Sequence, residues 1–172
     1  MPALARSIRL VRSYALVTEP LGEAQATRLC WPNREGIVDN RAMSVFARLT
    51  WDRRILLGGG YASPTRRMDR QPSRIPGARA QRWTTMVFRR MFPMLADVDV
   101  EYFYGGVVAV TPDKIPGVGR LSPRITYAYG YSGNGIVASR AIAEAVCEIV
   151  LERARQCPKL FFVSEREGGA GG

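Results

Sequence analysis

Between residues 125 and 136 the chain reads ITYAYGYSGNGI, and a long, mostly apolar run follows. Aromatic and β-branched residues from Ile125 to Tyr129 predict a strand, and the three glycines of Gly130–Gly135 favour a tight turn. The spacing of apolar residues then predicts a helix over residues 135–155. Such a strand–turn–helix segment directs backbone N–H groups and the positive end of the helix dipole at whatever lies before the turn. The glycines allow a flat or charged ligand to approach the backbone closely.

The rest of the chain is rich in predicted strands. The predicted strands are residues 8–18, 36–40, 45–50, 54–60, 98–110 and 125–129. Runs of strands with few helices indicate an α+β fold, with a mostly antiparallel β-sheet packed against two main helices. We expect a single domain over residues 1–164, with a mobile loop at 62–77 and a disordered tail at 165–172. Residues 111–119 contain two prolines and two glycines and predict a further loop.

Two amphipathic segments define the predicted helices. Trp83, Val87 and Met91 recur at the spacing of one helix face, and Pro93 ends the segment. We expect its three arginines to face outward: Arg82, Arg89 and Arg90. The C-terminal helix carries a polar stripe at four-residue spacing: Arg140, Glu144, Glu148 and Glu152. Pairs across one turn, such as Arg140–Glu144, can stabilise it.

Composition restricts the class of protein. The 172 residues carry 25 basic and 15 acidic side chains, for a net charge of +10. A basic protein can bind polyanions, but these charges are spread along the chain and no nucleic-acid-binding motif accompanies them. We therefore rank nucleic-acid binding last among the functions considered. No apolar run is long enough for a membrane span and no signal peptide is evident, so we predict a cytoplasmic protein.

The side chains available for catalysis are limited. The chain has three cysteines, Cys30, Cys147 and Cys157, and no histidine. We therefore expect no metal site of the usual Cys/His kind and no disulfide framework. Serine–histidine and cysteine–histidine catalysis are excluded because no imidazole is present to act as the base.

Five segments together resemble one known family. They are residues 14–21, 46–60, 92–95, 104–119 and 131–135. Their order and spacing resemble the C-terminal part of FAD-dependent oxidoreductases of the D-amino-acid oxidase family. The branch looks like the one containing glycine oxidase, sarcosine oxidase and γ-glutamylputrescine oxidoreductase. The resemblance covers roughly residues 10–155 and implies a substrate domain with the last flavin-facing motif.

The family's first motif is missing from these residues. Its members begin with a strand, a Gly-x-Gly-x-x-Gly turn and a helix, which grip the FAD pyrophosphate. Gly58–Gly60 is followed by Tyr61-Ala62-Ser63-Pro64, which does not open a helix in the required way. The resemblance implies FAD as cofactor. Because the pyrophosphate-binding motif is missing, we expect weak or absent FAD binding by this chain alone.

Individual roles follow from the resemblance. It implies flavin contacts for eight residues: Pro116, Gly117, Gly119, Gly130, Ser132, Gly133, Asn134 and Gly135. It leaves Arg48, Tyr102 and Tyr104 as candidates to bind the substrate. The alternatives are a plain turn at Pro116–Gly119, a strand-to-helix connection without ligand at Gly130–Gly135, and ordinary surface side chains for the other three. No catalytic residue is assigned.

Three departures from the family pattern bear on the substrate. Asn134 stands where histidine is common, and it cannot carry charge near neutral pH. Tyr104 replaces a common tryptophan. Val108 stands where the amino-acid-oxidising members have an arginine that pairs with the substrate carboxylate. An amine substrate, or none, therefore fits better than a simple amino acid.

Three functions remain open. The first is a truncated or split FAD-dependent amine or amino-acid oxidoreductase, completed by a partner chain that carries the FAD-binding domain. It predicts an exposed apolar face where that domain docks. The second is a non-catalytic module that binds a small molecule or a protein, or forms a homodimer over the same face. The third is a basic polyanion-binding domain.

Overall fold

The computed structural model describes residues 8–41, 44–65 and 77–151, with the side chains of residues 61–65 excepted. Seven strands and three helices lie in this described part. The strands are β1 (Arg9–Thr18), β2 (Ile37–Val38), β3 (Val45–Leu49), β4 (Ile55–Thr65), β5 (Val100–Val110), β6 (Gly117–Ser122) and β7 (Ile125–Tyr129). The helices are α1 (Glu23–Leu29), α2 (Ala78–Met91) and α3 (Gly135–Val150), with a 3₁₀ turn at Pro93–Leu95.

The strands form two sheets. The larger sheet has five strands in the order β2-β3-β4-β1-β5, and β6 and β7 form a two-stranded sheet. The pairs β2–β3, β3–β4 and β6–β7 are antiparallel, with Ala47 opposite Leu57 in the β3–β4 hairpin. The predicted α+β fold with a mostly antiparallel sheet is thereby confirmed.

The chain divides into two compact units. One is Arg12–Val107, here the sheet unit, and the other combines Met1–Val11 with Val108–Gly172, here the turn unit. A single domain over residues 1–164 stays a prediction. Strand β4 continues to Thr65, so residues 62–65 of the predicted loop are extended, and residues 66–76 lie outside the described part. The predicted tail at 165–172 also lies outside it.

The core of the sheet unit lies between one face of the large sheet and helix α2. Alternate strand residues point inward, which gives a buried cluster that includes Leu16, Val45, Ile55 and Leu57. Phe88 of α2 is fully buried against them. Complete burial of one such side chain contributes about 1.5–3 kcal/mol. The predicted face of α2 is confirmed, since Trp83, Val87 and Met91 all belong to this core.

One arginine of α2 differs from its predicted position. Arg89 is half-buried, where we expected it to face outward. Its Nη1 donates to the carbonyl of Leu95 at 2.7 Å, and its Cζ lies 5.3 Å from the Phe88 ring centroid. The guanidinium therefore satisfies a carbonyl of the 3₁₀ turn that follows the helix.

The turn unit contains the β6–β7 hairpin and α3. Val118 on β6 packs with Ile142, Ala145 and Ile149 on α3. The described helix ends at Val150, and residues 152–155 of the predicted helix lie outside the described part. The predicted pair Arg140–Glu144 is present at 3.1 Å.

Candidate functional site

The turn after β7 has left-handed backbone at three positions. Gly130, Ser132 and Gly133 have φ values of +69°, +52° and +90°. A Cβ on Gly130 would lie 2.4 Å from Cγ2 of Thr111, so glycine is required there by packing as well as by backbone conformation. A Cβ on Gly133 would meet nothing within 4 Å. The turn is therefore closely packed at its first glycine and open at its second.

Two hydroxyl groups hold this turn against the loop after β5. Ser132 Oγ accepts a hydrogen bond from Thr111 N–H at 3.2 Å and donates to Gly130 O at 3.0 Å. Thr111 is buried, and its Oγ1 donates to Ile115 O at 3.0 Å. Ser132 N–H donates to Ala109 O at 3.1 Å, which completes the connection to β5.

The N-terminus of α3 has no side-chain cap. Asn134 occupies the cap position, but its side chain makes no capping hydrogen bond. The first bond within the helix is donated by Ala138 N–H to Asn134 O, so the N–H groups of Gly135, Ile136 and Val137 have no acceptor within the helix. Ile136 is 94% exposed and Val137 is 87% exposed. An apolar, solvent-facing surface thus surrounds three N–H donors at the positive end of the helix dipole.

The predicted loop at Pro116–Gly119 is largely a strand. Gly117 and Gly119 belong to β6 and are buried opposite Tyr129 and Tyr127. A Cβ at either glycine would lie 2.2–2.5 Å from the facing tyrosine side chain. Cross-strand packing therefore accounts for both glycines, and their contact with a flavin stays a prediction.

The three candidate substrate residues lie on one face of the large sheet. Arg48 follows the buried Ala47 on β3, and Tyr102 and Tyr104 flank Phe103 on β5, which packs against the core. All three therefore point away from the core. Tyr102 is 54% exposed and Tyr104 is 43% exposed. Since β4 and β1 separate β3 from β5, the backbones of these two strands lie about 14 Å apart, at ~4.8 Å per strand. The structure gives the three residues a common face without bringing them together.

A different arginine reaches Tyr102. Arg54 stands just before β4, and its Cζ lies 5.7 Å from the Tyr102 ring centroid. It forms ion pairs with Asp52 and Glu101 and donates to Thr18 O at 2.9 Å. The Arg54 hydrogen bond holds the pKa of Glu101 below its ordinary value, and the Glu101 carboxylate in turn raises the pKa of Tyr102. Arg54 is not among the residues that the resemblance leaves as substrate-binding candidates.

The glycine triplet in β4 does not form a phosphate-binding turn. Gly58–Gly60 continues into extended backbone up to Thr65, and no helix begins there. A Cβ on Gly58 would meet the Phe46 ring, and one on Gly60 would meet Trp83. These glycines therefore accommodate neighbouring side chains.

Two other kinds of feature are absent from the described ranges. Within 8–41, 44–65 and 77–151, no group of three or more Cys, Asp or Glu side chains has a metal-binding arrangement. No helix in those ranges is both long enough and apolar enough to span a bilayer.

Comparison with known proteins identifies the family. The model of the FAD dependent oxidoreductase (DAO) family matches residues 1–149. The chain belongs to the FAD-dependent oxidoreductase family. A probable oxidoreductase, OrdL, of Haemophilus influenzae is 30% identical over 149 residues, or 82% of this chain and 30% of that protein. γ-Glutamylputrescine oxidoreductase of Escherichia coli is 28% identical over 87% of this chain and 33% of its own length.

Two solved structures share the fold. L-proline dehydrogenase from P. horikoshii superposes with a TM-score of 0.74 at 22% identity, over 94% of this chain and 41% of that one. Glycine oxidase from Geobacillus kaustophilus gives a TM-score of 0.68 at 18% identity, over 90% of this chain and 38% of that one. The chain spans about a third of the length of the curated relatives it matches.

The described residues fit one part of FAD and not another. The open backbone at Gly133 and the uncapped N–H groups of α3 suit a flat ring with acceptor atoms at its edge. In the described ranges, no glycine-rich turn other than Gly130–Gly135 leads from a strand into a helix, so no second helix N-terminus is placed for a pyrophosphate.

Proposed function

We propose that these residues provide the substrate face and the ring-facing turn of an FAD-dependent oxidoreductase that oxidises an amine or an amino acid. Catalysis then requires a polypeptide that binds the rest of FAD, so that the 172 residues are inactive alone. The observation that carries this proposal is the open Gly133 turn next to the uncapped N-terminus of α3.

The residues of this chain have distinct roles in the proposal. FAD, when bound, accepts the hydride that leaves the carbon of the oxidised C–N bond. The N–H groups of Gly135 and Ile136 hold acceptor atoms of the ring, and the positive end of the helix dipole favours negative charge there. The tyrosine face of β5 offers aromatic contacts to the substrate.

Three side chains of this chain and the names of its relatives bear on the substrate class. The names of the relatives refer to γ-glutamylputrescine, L-proline and glycine, all of which carry an oxidisable amine. Val108 offers no guanidinium to pair with a carboxylate, and the exposed ring of Tyr104 can face a cationic amine, whereas the Tyr102 ring already has Arg54 beside it. We therefore favour a small amine over a simple amino acid.

The exposed residues of α3 support a protein partner. Ile136 and Val137 are almost fully solvent-exposed, and burying them would remove apolar area from water. The FAD-binding polypeptide is the proposed occupant, and a second copy of this chain is the alternative. The cytoplasmic location stays a prediction from the sequence.

One observation favours a second candidate, a non-catalytic binding module. Arg48 and the two tyrosines stand on strands whose backbones lie about 14 Å apart with two other strands between them, so their backbones do not frame one compact pocket. A binding module of this kind would retain the fold of the family without using FAD.

Co-expression separates the two candidates. The chain is produced with the polypeptide encoded upstream or in a neighbouring reading frame that carries a Gly-x-Gly-x-x-Gly segment. The proposal predicts a yellow complex that reduces 2,6-dichlorophenolindophenol when small amines are added, with no activity from the chain alone. A complex that purifies without flavin, or the lack of any such reading frame, would favour the non-catalytic module.

A further inference from the structure

A cavity in the sheet unit has the properties of a small-ligand site. It has a volume of about 400 Å³ and lies between α1, the segment that follows α1, and the β3–β4 turn. This volume is in the range of small-molecule sites in proteins. Its residues do not include any of those predicted to contact flavin or substrate.

The walls of the cavity are apolar and fixed. Leu21 is buried, and Leu29, Trp31 and Leu49 pack against the core of the sheet unit. The Trp31 ring stacks on Phe92, with centroids 5.9 Å apart and an interplanar angle of 23°. A ligand with a flat or aliphatic body would therefore contact preformed apolar walls.

Two arginines provide charge at the same cavity. Arg34 Nη1 donates to Thr50 O at 3.3 Å, and its Cζ lies 4.7 Å from the Trp51 ring centroid. Arg53 forms an exposed ion pair with Glu23 through its own Nη1. Each guanidinium has five N–H donors, so these contacts leave donors for a ligand carboxylate. Among the described residues that line the cavity, none is acidic.

The backbone supports the same conclusion. Five non-glycine residues in the described part have positive φ, and three of them line this cavity: Cys30 (49°), Arg34 (55°) and Arg53 (61°). Glycine or asparagine is the usual residue in this conformation. These three residues carry side chains in a backbone conformation that is unfavourable for them. Residues in such conformations often cluster at functional sites.

We propose that this cavity binds a small carboxylate with an apolar body, with the apolar part against Trp31 and Leu49 and the carboxylate between Arg34 and Arg53. The ligand shares Arg53 with Glu23, and that surface ion pair is weak. Binding here is independent of FAD and of the proposed oxidation.

Cysteine protection tests the proposal on the full chain. Cys30 lines the cavity and Cys147 lies on α3, and both are exposed free thiols. The rates of alkylation by iodoacetamide are measured for both by peptide mass spectrometry, with added 2-naphthoate or the neutral 2-naphthamide. At three times its Kd, naphthoate should slow Cys30 alkylation about fourfold. Cys147 should be unaffected, and naphthamide should protect Cys30 much less.

Variants supply the second comparison. Arg34→Gln and Arg53→Gln should each reduce protection of Cys30 by naphthoate, while Arg82→Gln, a surface arginine of α2, should leave it unchanged. Arg34→Lys keeps the positive charge but cannot form two parallel hydrogen bonds to a carboxylate, so its protection of Cys30 should be intermediate. Equal protection by naphthoate and naphthamide, equal slowing of Cys147, or no protection at millimolar naphthoate would each overturn the proposal. The comparison of the two probes requires no variant to fold.

Discussion

The hydroxyl oxygens of Thr111 and Ser132 lie 3.1 Å apart. Each hydroxyl has one proton, and the two also contact Ile115 O and Gly130 O at 3.0 Å. Three oxygen–oxygen contacts therefore share two protons, and one contact lacks a proton at any moment. Through this pair, the loop after β5 fixes the turn that leads into α3.

Loss of the Thr111 hydroxyl should destabilise the turn unit. Thr111→Val keeps the shape but removes the hydroxyl that donates to Ile115 O, and we expect the free energy of unfolding to fall by about 0.5–1.5 kcal/mol. Thr111→Ser keeps the hydroxyl and should cost less. Urea denaturation of the three proteins measures the difference, and a valine variant as stable as the unmodified protein would show that the hydroxyl contributes nothing.

Alanine at the three glycines of the turn should give graded effects. Gly130→Ala combines unfavourable backbone with a contact at 2.4 Å and should cost more than about 2 kcal/mol. Gly133→Ala has space around it and should cost about 1 kcal/mol. Gly135→Ala, at the start of α3, should be neutral or stabilising. Thermal unfolding ranks the three, and a destabilisation by Gly133→Ala as large as that by Gly130→Ala would mean the turn is not open there.

Acid should weaken the Arg54–Glu101 contact. Hydrogen bonds from Arg54, then Tyr102, hold the Glu101 pKa below 4.5. A carboxyl whose pKa is lower in the folded state stabilises the protein above its unfolded-state pKa and loses that effect as pH falls through the folded-state pKa. Glu101→Gln should therefore reduce the Tm at pH 6, and its difference from the unmodified protein should shrink towards pH 3. A Tm difference that stays constant between these pH values would contradict this.

The exposed residues of α3 can be tested apart from stability. Replacing Ile136 and Val137 with serine removes apolar surface that is already in water, so we expect the Tm to change little. The same change should raise the Kd for the FAD-binding polypeptide at least tenfold. A tenfold change corresponds to about 1.4 kcal/mol, which is less than the burial of two such side chains contributes. The matched control is Ala141→Ser, also exposed on α3. Unchanged association, measured by isothermal titration calorimetry, would exclude this surface as the interface.

The large sheet was predictable because its strands alternate between core and surface. On β3, Ala47 is buried and Arg48 is exposed, as apolar–polar alternation predicts, whereas on β4 Leu56 is less buried than Ile55 and Leu57 although all three are apolar. Helix α1 was missed because none of its seven residues is buried, so no apolar stripe marks it. A weak signal was present at Gln25, whose Oε1 accepts the N–H of Gly22 at 2.8 Å.

Strand β6 was missed for a different reason. The local sequence around Gly117 and Gly119 is typical of a loop. The need for glycine is explained by the tyrosines on the facing strand, Tyr129 and Tyr127. Such cross-strand packing depends on residues of another strand, which local strand propensity does not take into account. The Gly130–Gly135 turn was predictable because its glycines stand between a strong strand and a strong helix. The Thr111–Ser132 connection was not predictable, since it joins residues 21 positions apart.

The most direct test of the ring-facing turn is an NMR titration of the ¹⁵N-labelled chain with riboflavin, FAD and ADP at about 0.2 M salt, which screens nonspecific attraction to the basic protein. If the turn contacts only the flavin ring, the amide signals of Gly133, Gly135 and Ile136 should shift saturably with riboflavin and with FAD. The two Kd values should agree within about threefold, and ADP should leave these signals unchanged. No shift with riboflavin, or FAD binding that is far tighter than riboflavin binding, would contradict the account.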